Sequence, residues 1–63
     1  MEQDKFILTT SDLMRKLDIS KPTALKLINR PDFPVIRVGN RIKIPVDGLR
    51  RWLERNEGKR IEL

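Results

Sequence analysis

The chain has 63 residues, with 14 Lys and Arg against 9 Asp and Glu, a net charge of +5, and neither cysteine nor histidine. That length allows one domain, 1–63, whose small core buries only about 60% of the surface exposed by the unfolded chain. Disulfides, thiolate or imidazole metal sites and a side chain that titrates near neutral pH are all excluded.

Phe6-Ile7-Leu8 is the longest apolar run. It reads as a short strand or as a staple before a helix. It is too short for a transmembrane helix or a signal peptide, so a cytoplasmic domain with no membrane contact is expected. Thr9-x-x-Asp12 has capping-box spacing, with Asp in place of Glu, and predicts a helix over Thr10–Leu17. Leu13, Met14 and Leu17 form its apolar face.

Asp18-Ile19-Ser20 interrupts this pattern. Ser20 is suited to N-capping, and Pro22 sits in a first turn where a missing N–H costs nothing. A second helix is predicted over about Lys21–Asn29, with Ala24, Leu27 and Ile28 as its stripe. Two short helices joined by three or four residues make a helix-turn-helix candidate. Pro31 drives Arg30 out of helical geometry, and Phe33, between Pro31 and Pro34, is expected to anchor the following loop in the core.

Residues 35–44 alternate like strands around a turn. A two-residue loop at Gly39-Asn40 pairs Ile36 with Lys43 and mixes polar with apolar side chains on each face. A three-residue loop, Gly39-Asn40-Arg41, pairs Val38 with Ile42 and Ile36 with Ile44. That register collects the apolar side chains on one face and Arg37 and Lys43 on the other, so it is the register expected. Pro45 ends the hairpin, Asp47 is the expected cap of a third helix over about 47–56, and Leu49, Trp52 and Leu53 are its stripe. The ordered core is expected over about 6–56, with 57–63 as a flexible tail. The result is a small α+β, mainly helical architecture: a winged helix-turn-helix with a β-hairpin wing and a C-terminal helix.

The charge is unevenly spread. Residues 20–43 carry Lys21, Lys26, Arg30, Arg37, Arg41 and Lys43 against Asp32 alone, whereas cations and anions nearly cancel on either side. A concentrated basic field points to a polyanionic partner, although such a field also serves solubility. At about 100° per residue, Pro22, Lys26 and Asn29 fall within about 40° of the direction opposite Ala24. Thr23 and Arg30 lie on the shoulder of that face. Lys21, nearer the apolar side, reaches a phosphate from the helix start, where Ser20 also lies. Asn pairs with adenine through two groups, and Lys or Arg reaches guanine. In the hairpin, Arg37, Arg41 and Lys43 are candidate contacts, and a loop arginine suits a narrow minor groove. Asn40 offers a hydrogen bond to a base or phosphate, but turn geometry alone also explains it. Arg50, Arg51 and Arg55 read as a solvated face, because Glu54 and Glu57 dilute them.

Several segments together resemble the excisionase-type (MerR-like) DNA-binding domains: Leu8-Thr9-Thr10-Ser11-Asp12-Leu13, Leu17-Asp18-Ile19-Ser20-Lys21-Pro22-Thr23, Asp32-Phe33-Pro34, Arg37-Val38-Gly39-Asn40-Arg41, Ile44-Pro45 and Leu49-x-x-Trp52-Leu53. Asp18 stands where such turns often carry glycine, and Asp tolerates a left-handed backbone better than most residues. The resemblance implies double-stranded DNA as partner, a recognition helix in the major groove, and a wing on the minor groove or backbone. It further implies the role of an excisionase or a small prophage regulator, a nucleoid location, an integrase or recombinase partner, and cooperative self-association on DNA. No cofactor is implied. A protein-interaction module is the alternative from another class. RNA reading lacks exposed rings for stacking, since Phe6, Phe33 and Trp52 are the only aromatics. Catalysis lacks a convincing constellation, so the chain is not expected to be an enzyme.

Overall fold

The computed structural model describes residues 6–63. In chain order the elements are β1 (Ile7–Leu8), α1 (Thr10–Leu17), α2 (Lys21–Ile28), β2 (Ile36–Val38), β3 (Arg41–Pro45) and α3 (Val46–Arg55). The strands form one antiparallel sheet in the order β1-β3-β2, which makes β3 central and gives the layout of a winged helix-turn-helix. Phe6-Ile7-Leu8 therefore contributes a strand, with Leu8 opposite Ile44 and Ile7 opposite Pro45.

Local chemistry explains the helix ends. The Thr9 hydroxyl accepts from the Asp12 N–H at 3.1 Å, and the Thr9 N–H donates to Asp12 Oδ2 at 3.0 Å. This reciprocal box satisfies two donors at the start of α1. Asp12 is buried, and Arg15 donates to its Oδ1 at 2.6 Å. The other end of α1 stops at Asp18, whose φ of 55° is left-handed, and the Ile19 N–H closes back on the Met14 carbonyl at 3.0 Å. Ser20 caps α2 through its backbone: its carbonyl accepts from the Ala24 N–H, while its hydroxyl donates to Thr23 Oγ1 at 3.1 Å. Asn29 forms the C-cap rather than the last turn.

Three sequence expectations need correction: Leu53, expected in the apolar stripe of α3, is exposed and takes no part in the core, and the cap of α3 and the hairpin register also differ. The cap of α3 is Pro45, not Asp47, because the chain leaves β3 straight into the helix and the Val46 N–H is already satisfied by the Phe6 carbonyl at 2.8 Å. Asp47 falls in the first turn and pairs with Arg50. The hairpin register is Ile36 with Lys43, Arg37 with Ile42 and Val38 with Arg41, around a two-residue turn at Gly39-Asn40. The three-residue loop fails because turn geometry outweighs side-chain sorting. Gly39 has φ +60° and Asn40 does not have positive φ, the signs of a type II′ turn, whose twist matches a hairpin. Ile36 and Val38 consequently remain exposed on the edge strand. Arg37 and Lys43 do not share a face.

The core comprises Leu8, Leu13, Ala24, Leu27, Ile28, Phe33, Ile44, Leu49 and Trp52, drawn from every element except β2. Phe33 meets Trp52 edge to face, with ring centroids 4.9 Å apart, so the double-proline loop is anchored as expected. Gly48 is buried where α3 passes the prolines; a Cβ there would lie 3.0 Å from Pro34 Cβ and 3.2 Å from Pro45 Cγ. Beyond α3, Ile61 packs against the core. No helix among the described residues is long and apolar enough to cross a membrane.

Candidate nucleic-acid interface

The packing of α2 decides which side chains face outward. Ala24, Leu27 and Ile28 are buried, leaving Lys21, Pro22, Leu25, Lys26 and Asn29 exposed. These positions follow the i, i+1, i+4, i+5, i+8 spacing of one helical face. The predicted set of Lys21, Pro22, Lys26 and Asn29 is therefore brought together. Ser20 is exposed at the helix start, and half-buried Thr23 is bonded to it. Leu25, which sequence reasoning passed over, lies among them. Its position outside the Ala24-Leu27-Ile28 stripe was the available signal.

Arg30 behaves differently. Its Nε donates to Asp32 Oδ1 at 3.0 Å and its Nη1 to the Glu62 carbonyl at 3.3 Å. Asp32 Oδ2 also accepts from Trp52 Nε1 at 3.1 Å. Arg30, Asp32 and Trp52 thus tie the end of α2, the proline loop and α3 together. The Arg30 hydrogen bond, and then that of Trp52, hold the Asp32 carboxyl below its ordinary value.

The wing's cations are divided by the register. Arg37 pairs with Ile42, which packs against the core, so it lies on the helix side of the sheet. Its Nη2 donates to Asn29 Oδ1 at 3.4 Å, joining the wing to the end of α2. Arg41 and Lys43 sit on the opposite face with Val38 and Ile36. Asn40 is exposed in the turn. Among the described residues, Lys21, Lys26, Arg37, Arg41 and Lys43 form no ion pair, so their charges are not internally neutralised. Arg50 of α3, by contrast, is paired with Asp47.

A model of the helix-turn-helix domain family matches residues 7–57. The chain belongs to that family. The matched span runs from β1 to just past α3, so it takes in the whole winged unit. No curated protein and no solved structure matches the chain. Helix-turn-helix domains bind DNA, with the second helix of the motif placed in the major groove. In this helix-turn-helix domain the second helix is α2, and its outward face carries two cations, a carboxamide and no acid. Domains of this kind typically act by binding rather than by catalysis.

Proposed function

We propose that this helix-turn-helix domain is a sequence-specific DNA-binding protein of a mobile element, acting as an excisionase, that is, a recombination directionality factor. The observation that carries the DNA part is that Arg37 of the wing meets Asn29 at the end of α2, so that the outward cations of α2 and Arg37, none of them in an ion pair among the described residues, lie on joined elements. The excisionase part rests on the resemblance of the turn, loop and wing segments to that family.

In this reading, Lys26 and Asn29 reach base edges in the major groove. Ser20, Lys21, Pro22 and Thr23 meet the backbone at the start of α2. Arg37 approaches the duplex beside Asn29, and Asn40, Arg41 and Lys43 serve the minor groove or backbone. Arg30, already held by Asp32, contributes by bracing the end of α2. One copy is small enough to read only a short half-site, so copies assemble cooperatively on repeats, and an integrase is the protein partner.

A footprint over the element's attachment ends and nearby promoters tests this. Protection of phased repeats at an attachment end is the expected result. Protection confined to a promoter makes the chain a prophage-type regulator using the same surface. No protection at moderate salt overturns the proposal in favour of a protein-interaction module.

A further inference from the structure

We infer that Leu25 is a specificity-determining residue of α2, contacting the 5-methyl group of a thymine in the major groove. This inference rests on the DNA-binding reading above and deepens it. Leu25 remains 42% exposed although the adjoining core at Ala24, Leu27 and Ile28 is closed. It lies at the centre of the outward face, with Lys21 four residues before it, Pro22 three before and Asn29 four after, all exposed. Side chains on a helix lean toward its N-terminus, so Leu25 extends toward the Pro22 ring and the two form a small apolar strip.

The surroundings of this strip select its occupant. Lys21 and Lys26 border it without an ion pair among the described residues, and the Asn29 oxygen already accepts from Arg37. An apolar spot bordered by cations complements a surface on which small apolar groups lie between phosphates. The major groove is such a surface, and the thymine methyl is the apolar group that its base edges display. Solubility would favour Gln or Lys at this exposed position, with similar helix propensity. The part of Leu25 that folding leaves uncovered, 42% of its surface, lies on the face that the second helix of the motif turns to the major groove, where a thymine methyl would cover it.

The test uses the full chain and duplexes selected from a random library. Each thymidine of the enriched site is replaced in turn by deoxyuridine, which removes only the methyl group, and affinity is read by fluorescence anisotropy. Wild type should weaken by about fourfold at one or two positions, the factor for one buried methyl-sized group. Leu25→Ala should bind the thymidine duplex weaker by a similar factor and lose its sensitivity to deoxyuridine there. Lys26→Ala should keep that sensitivity. A flat deoxyuridine scan on a duplex that wild type binds overturns the Leu25 role and leaves DNA binding standing. Undiminished sensitivity in Leu25→Ala overturns it too. Failure to enrich any duplex overturns the underlying DNA reading as well. The wild-type scan needs no substitution, so it is independent of how well Leu25→Ala folds.

Discussion

Trp52 and Asp32 concentrate much of what single side chains do here. The indole is buried against Phe33 and spends its one N–H on Asp32, which also takes the Arg30 fork. Trp52→Ala removes the ring that holds the proline loop and leaves Asp32 short of a donor. It should cost about 3–5 kcal/mol, read as a large drop in Tm. Acid sensitivity follows from the same cluster. The folded Asp32 pKa lies below its unfolded value, so the native state favours the ionised form. That stability is present above the unfolded pKa near 4 and is lost as pH falls through the folded pKa. Asp32→Asn should remove this part of the acid dependence, and the fluorescence of the single Trp reports it. At the DNA surface, Lys26→Ala should weaken specific binding more than non-specific binding if Lys26 reads a base. Equal losses would make it a phosphate contact.

Among the elements, the wing shows most clearly how competing rules are ranked. Apolar sorting favoured a three-residue loop, but the type II′ signs at Gly39-Asn40 set the register and left Ile36 and Val38 in solvent. β3 alone supplies the sheet's deepest core residue, Ile44, so the edge strand has little apolar burial to enforce its own register. Gly39 has no neighbour that a Cβ would strike, so Gly39→Ala isolates the cost of a positive φ in this turn. That cost is about 1–3 kcal/mol, read as a lowered Tm. Hydrogen exchange should speed up most across β2 and β3. The cap of α1 gives a second measurement. Thr9→Ala removes an acceptor for the Asp12 N–H and should lower stability by about 1 kcal/mol.

For the molecule as a whole, charge placement governs the behaviour expected with DNA. Five cations, Lys21, Lys26, Arg37, Arg41 and Lys43, stand without ion pairs among the described residues. If each neutralises one phosphate, log K against log salt should fall with a slope of about −4 to −5 per bound copy. Removing one phosphate contact should make that slope shallower by about 1. A slope near zero, measured by anisotropy between low and moderate salt, would contradict an interface built on these cations. Because Arg41 and Lys43 lie on the face opposite Arg37, their alanine variants separate the contributions of the two sides of the wing.

Much of this fold was readable in the chain because its decisive signals are local. The Thr9–Asp12 box, the left-handed Asp18, Pro22 in the first turn of α2 and the helical spacing of Leu49 and Trp52 each act within one or two turns of backbone. The apolar stripe of α2 likewise implied its outward residues, so most of the candidate interface could be named in advance. Long-range relations could not. The Arg37–Asn29 link, the engagement of Arg30 by Asp32 and the Glu62 carbonyl, and the seating of Ile61 depend on segments that meet only after the core closes. The hairpin register belongs with them: two pairings were open from the pattern, and choosing between them required the turn's dihedral angles and the position of β2 at the sheet edge. Local hydrogen bonding and periodicity are written in neighbouring residues, whereas the partners of a side chain across the fold depend on how the elements pack.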